Sequence, residues 1–160
     1  YCNAEDNSIF QADIAKEECA KRNLTVVDKS VTDSNQIQQV TESLIGKVDA
    51  IYIPTDNLLA EGMATVAQVA NENNLPCIVG ESGMVENGGL ATYGIDYYNL
   101  GYRAGLQAVK ILKGEAKPAD MAIEYLPVEE CELTINEKVA KKLNITIPDD
   151  LKSKAKMVNK

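Results

Sequence analysis

The sequence predicts an α/β fold: a Rossmann-like parallel sheet flanked by helices. Three observations predict it. Short runs rich in β-branched residues alternate with helical patterns, the connections between them are only a few residues long, and a polar turn follows the carboxyl end of several runs. Such alternation implies parallel strands joined by right-handed crossovers. The clearest unit is residues 48–57, where Val48-Asp49-Ala50-Ile51-Tyr52-Ile53 meets Pro54 and then Thr55-Asp56-Asn57. A buried strand there delivers polar groups to a helix N-terminus. In open α/β sheets ligands bind outside the carboxyl ends of the strands, so Thr55-Asp56-Asn57 should touch whatever is bound.

Each element can be justified in order. Tyr1-Cys2 reads as the end of a strand whose start is missing. After the polar turn at residues 3–8, Ile9, Phe10, Ile14, Ala15 and Cys19 follow helical spacing, with Asn7 or Ser8 as N-cap and an end near Arg22-Asn23. Residues 24–29 form a β-rich run. Ile37, Val40, Thr41, Leu44 and Ile45 mark a second helix, closed by Gly46. A third helix covers roughly residues 57–73, and Cys77-Ile78-Val79-Gly80 is a short buried strand before a polar turn at residues 81–84. Residues 90–96 read as a strand ending in Asp96. Residues 98–113 form a helix whose Gly101 and Gly105 suggest close packing on another element. Beyond Pro118 come β-like stretches at 122–126 and 132–135, a short helix at 136–143 and a charged tail at 149–160.

Composition narrows the function classes. The 160 residues suit one domain, and 45% hydrophobic content is ordinary for a globular chain. A net charge of −8 repels phosphate backbones, so nucleic acid is not expected as a partner. The absence of histidine removes the commonest general base and zinc ligand. Cys2, Cys19, Cys77 and Cys131 never form a paired motif, so neither metal nor cofactor is expected, and Cys19 and Cys77 read as small buried hydrophobes.

Three acidic residues sit where chemistry could occur: Asp56, Glu81 and Asp96. Each also has a plain structural reading, in which Asp56 and Asp96 begin helices and Glu81 is solvated. No nucleophile motif, P-loop or dinucleotide fingerprint accompanies them, so an enzyme is not expected. A zwitterionic amino acid suits the chemistry better. Its ammonium needs an anionic cluster, which Asp56, Glu81 and Asp96 can supply. Its carboxylate needs N–H and hydroxyl donors, which Ser8 and the turn at Thr55-Asp56-Asn57 offer.

Residues 48–57, 84–97 and 112–118, with Asn144-Ile145-Thr146-Ile147-Pro148, together resemble the ABC-transporter substrate-binding proteins of the TrpX type. The resemblance runs over essentially the whole chain. It implies a bilobed periplasmic-binding-protein fold that closes on its ligand by a hinge, of which this chain resembles the C-terminal half. Residues 1–96 would then be the core of the second lobe, residues 97–126 a segment that normally returns to the first lobe, and residues 127–160 a segment packing back on the second.

The resemblance also implies an extracytoplasmic receptor, periplasmic or held at the cell surface as a lipoprotein after a signal peptide. Its partners would be an aromatic amino acid and an ABC permease. Asn7, Ser8, Thr55, Asp56, Asn57, Glu81 and Asp96 would be the ligand contacts, with Asp56 foremost for the ammonium. A sensory or regulatory domain of the same fold is the alternative. The helix at 98–113, deprived of its sheet, would expose its apolar face or pair with a second copy as a dimer.

Overall fold

A computed structural model describes residues 1–159. Lys160, the last residue of the charged tail, lies outside the described residues. The first helix, α1, spans Asp6–Lys21. A single 3-10 turn, Ser34–Gln36, leads into α2, Ile37–Glu42, with the Asp33 side chain capping the turn at Asn35 N–H. Next come β1 (Ile51–Ile53), α3 (Asn57–Glu61), α4 (Met63–Glu72), β2 (Cys77–Val79), α5 (Ser82–Glu86) and β3 (Ala91–Gly94). The long helix α6 spans Tyr97–Leu112, and β4 (Glu132–Asn136), α7 (Glu137–Lys142), α8 (Asp149–Lys152) and β5 (Lys156–Val158) complete the chain.

The five strands form one sheet in the order β1-β2-β3-β4-β5. Neighbours are parallel except β3 and β4, which pair antiparallel with Thr92 opposite Thr134 and Gly94 opposite Glu132. The sheet is thus mixed, and β5 is an edge strand that the charged tail did not announce. One face carries Ile51, Ile53, Cys77 and Val79 into a core with Ile37 and Leu44 from the α2 region, Met63, Val66 and Ala70 of α4, and Met84 and Val85 of α5. The opposite face carries Tyr52, Ile78 and Tyr93, which are between 40% and 58% exposed. Ile51 and Ile53 are therefore buried and Tyr52 between them is exposed, as the two-residue period of a strand dictates.

Several elements differ from the sequence reading for identifiable reasons. Residues 24–29 form no ladder. Only a parallel bridge between Cys2 and Val31 forms, with Val31 N–H donating to Tyr1 C=O and Asn3 N–H to Val31 C=O. A run of β-branched residues becomes a strand only when another strand pairs with it, and Leu24, Val26 and Val27 remain exposed. The helix expected over 57–73 breaks at Gly62, where an added Cβ would lie 2.3 Å from Ile37 Cδ1. The polar turn expected at 81–84 is the first turn of α5. The β-like stretch at 122–126 is irregular and leaves Ile123 and Tyr125 exposed.

The largest departure concerns α6. The small-residue helix buries no residue, and a Cβ on Gly101 or Gly105 would meet nothing within 4 Å. The close packing expected of it is absent. Tyr102, Leu106 and Val109 share one face by their spacing and are all exposed, the Arg103–Glu130 ion pair ties α6 to the segment before β4, and the Tyr93 hydroxyl, donating to Val128 C=O, ties that segment to β3.

The cysteines are free thiols. Cys77 is fully buried, and burial pushes its thiol up to about 12. Cys2 is also buried, whereas Cys19 is only half-buried, less than its apolar stripe suggested. Cys19 and Cys131 should therefore react with iodoacetamide at pH 8 within minutes, while Cys2 and Cys77 stay unlabelled until the chain is unfolded. Peptide mass spectrometry of a labelling time course checks this, and early labelling of Cys77 would refute the packing.

Candidate functional site

Four chain turns meet at the carboxyl edge of the parallel strands: the one after Cys2 and those after β1, β2 and β3. Glycine makes the approach possible. A Cβ on Gly80 would lie 2.3 Å from Thr55 N, and one on Gly94 would lie 3.3 Å from Gly80 O. Polar bonds then stitch the turns together. Asn7 Nδ2 donates to Thr55 C=O at 2.7 Å, Thr55 N–H donates to Gln11 Oε1 at 2.9 Å, and the Thr55 hydroxyl donates to Gly80 C=O at 3.4 Å.

Asp56 holds this edge from beneath. Its carboxylate is 2% exposed and accepts from Cys2 N–H at 2.5 Å, the Ser8 hydroxyl at 2.5 Å and Leu59 N–H at 2.8 Å. A carboxylate so enclosed is paired with three donors of its own chain. The expectation that Asp56 meets a ligand ammonium directly is therefore corrected: it faces inward, and so does Ser8, which is fully buried. Ser8 is also not the N-cap of α1, a position held by Glu5.

Glu5 has a more informative place. Its carboxylate accepts from Asn57 N–H at 3.0 Å, Asn57 Nδ2 at 2.9 Å and Leu58 N–H at 3.1 Å, filling the N-terminus of α3 from 52 residues away. An anion at a helix N-terminus is electrostatically favoured, and this one belongs to the protein. Sequence reasoning missed Glu5 and Gln11 because their partners lie across a fold that local spacing does not reveal.

Glu81 and Asp96 are caps as well. Glu81 accepts from Gly83 N–H and Met84 N–H, both at 2.7 Å, so it is bound rather than merely solvated. Asp96 accepts from Tyr98 N–H, Asn99 N–H and Asn99 Nδ2. Both are only partly buried, and each carboxylate keeps a lone pair for a further donor. The structure thus brings Asn7, Thr55, Asn57, Glu81 and Asp96 to one edge and sets Ser8 and Asp56 below it.

Two cavities flank these residues. The larger, about 610 Å³, is an apolar slot bounded by residues 24–29, residues 47–54 and helices α1 and α2. Its lining is mostly apolar, and Lys16 and Asp28, which border it, pair with each other at 2.7 Å rather than facing an empty site. The smaller, about 200 Å³, opens beside Asp96 and is lined by hydroxyl and charged groups.

An α/β lobe whose polar turns converge at the carboxyl edge of a parallel sheet defines a class of small-molecule binding domain. The chain belongs to the family described as ABC transporter substrate binding protein, which matches residues 1–159. It is 41% identical over 145 residues to a tyrosine-binding protein of Clostridioides difficile, covering 91% of this chain and 41% of that protein. Among solved structures it is similar to the ABC domain from Streptococcus pneumoniae in complex with L-Trp, at 37% identity and a TM-score of 0.90, covering 99% of this chain and 53% of that one. It is also similar to a ligand-free, open substrate binding protein with adhesive properties from Clostridium difficile, at 40% identity and a TM-score of 0.76, covering 99% and 52%. The chain spans about half the length of these relatives or less. The likeness to the TrpX type read from the sequence is thereby shown.

Removing the Asp56 carboxylate should loosen the whole edge. Asp56→Ala leaves three donors unpaired, two of them deep in the fold, and should lower stability by about 3 kcal/mol. Urea unfolding followed by circular dichroism measures it. Asp56→Asn, which keeps an oxygen for Leu59 N–H, should fall between the two.

Proposed function

We infer that this chain forms one wall of an interlobe cleft in the extracytoplasmic binding component of an ABC importer, and that the ligand is an aromatic amino acid. The observation that carries the reading is the convergence of Asn7, Thr55, Asn57, Glu81 and Asp96 at one edge, with Ser8 and Asp56 fixing their positions from below. Half-exposed carboxylates and amides at a rim suit a zwitterion, which must exchange many water contacts for directed ones. The tyrosine- and L-Trp-binding relatives support the ligand class, and the family supports transport through a permease. On this reading the intact receptor is exported behind a signal peptide and held outside the membrane, at the surface as a lipoprotein or in the periplasm. It binds and carries rather than catalyses.

The organisation follows from the same reading. Residues 1–96 are the core of the second lobe and residues 127–160 return to it through β4, α7 and β5. Residues 97–126 belong against another body, which is why α6 presents its apolar face to solvent here. In this chain alone the face is covered by a second copy.

Calorimetry of the intact receptor should show binding of L-tyrosine or L-tryptophan, weakened at least about tenfold by Asp96→Ala, which is about 1.4 kcal/mol. Failure to bind any aromatic amino acid would end the reading. For the isolated chain, sedimentation velocity should show a dimer that Leu106→Glu converts to a monomer. A monomeric parent chain would refute the pairing through α6.

A further inference from the structure

We propose that the 200 Å³ pocket beside Asp96 is the seat of the ligand's zwitterionic head, and that Thr92, Thr134, Glu132 and Lys156 are binding residues of that seat. The inference rests on the amino-acid-binding reading above and names the part of the wall that does the recognition.

The pocket is a consequence of strand register. Thr92 of β3 lies opposite Thr134 of β4, which in turn lies opposite Lys156 of β5. Three polar residues therefore stand in one transverse row on the same face of adjacent strands. The next row pairs Gly94 with Glu132. Because Gly94 has no side chain, the space above Thr92 stays open. A Cβ there would sit 3.1 Å from Thr92 Oγ1.

Thr92 is the observation that points to a ligand. Thr92 is among the residues that line the pocket, it is 2% exposed, and its Oγ1 has no hydrogen-bond partner within the described residues. Buried hydroxyls are ordinarily satisfied, because leaving one unpaired costs free energy. Around it the charges are of both signs. Lys156 Nζ lies 3.2 Å from Glu132 Oε1, and the Thr134 hydroxyl donates to that same oxygen at 3.2 Å. Glu132 Oε2 and the remaining lone pair of Asp96 are available to an ammonium. Lys156, with the hydroxyls of Thr92 and Ser82, is available to a carboxylate. A pocket that held only a cation would not need the lysine, and one that held only an anion would not place two carboxylates beside it.

Tyr97 and Tyr98 stand at the mouth, 52% and 80% exposed. An amino acid seated by its head directs its side chain outward past these rings, where aromatic stacking is favourable. That supplies the aromatic surface the ligand class requires.

The test is a titration of the isotopically labelled intact receptor with L-tryptophan, followed by amide chemical shifts. The expected result is saturable shifts at Ser82, Thr92, Thr134 and Lys156, with tryptamine and indole-3-propionate at least tenfold weaker because each lacks one half of the head. Gly94→Ala, whose Cβ would sit 3.1 Å from Thr92 Oγ1, should narrow the pocket and weaken binding at least tenfold. Thr92→Val and Lys156→Gln, which leave the backbone unaltered, should each weaken it severalfold, so a folding defect in the glycine variant does not decide the matter. Shifts confined to Asn7, Thr55 and Asn57, with the pocket silent, would overturn this inference and leave the proposed function standing. Equal binding of indole alone would also overturn it. The absence of any shift with any aromatic amino acid would overturn both.

Discussion

A single buried carboxylate organises this chain. Asp56 sits at the end of β1 and binds the backbone after the Cys2 bridge, the first turn of α1 through Ser8, and the first turn of α3 through Leu59. Three segments far apart in sequence are thereby fixed to within hydrogen-bond tolerance of one another. The cost of burying an anion is high unless donors surround it, and here they do. Asn7, Thr55 and Asn57 inherit their positions from that arrangement. Asn7 lies one residue before Ser8, Thr55 one before Asp56 and Asn57 one after, so their outward directions are set by neighbours that point inward.

The same alternation explains what the sequence could and could not show. The turn at residues 55–57 was legible because a β-branched run, a proline and an Asp-Asn pair before a helical pattern each say the same thing. Membership of the rim was legible for Asn7, Glu81 and Asp96 for similar reasons. Direction was not. Whether Asp56 faces a ligand or the core depends on Cys2 and Ser8 being near it, which is a property of three elements in space. Glu5 and Gln11 were invisible on the same ground, since their partners at Asn57 and Thr55 lie 52 and 44 residues away. Local capping rules predicted that Asp96 would cap a helix, and it does. They could not predict that the α3 N-terminus would be satisfied by a carboxylate from another turn.

Strand propensity misled where pairing decides. Residues 24–29 and 122–126 have the composition of strands, yet neither has a ladder, and both leave large apolar side chains in solvent. Residues 156–158 have two-thirds apolar content behind a charged approach and do form a strand, because β4 offers them an edge in parallel register. The α6 helix makes the same point for helices. Its amphipathic face formed as its spacing dictates, but an amphipathic face predicts a partner only in kind. Here the face stays exposed, and the small residues Gly101 and Gly105 border empty space.

Glycine, rather than any charged group, sets how closely the strand ends approach. Gly80 and Gly94 stand at the ends of neighbouring strands, and the Cβ distances show that even an alanine at Gly80 would strike backbone atoms of the β1 turn. Side chains there would spread the turns and separate Thr55 from Glu81 and Asp96. The polar groups would remain, but they could no longer address one small molecule together. On the proposed reading, recognition at this edge depends first on the absence of two side chains, which brings the turns into contact, and only then on the polar groups that those turns carry.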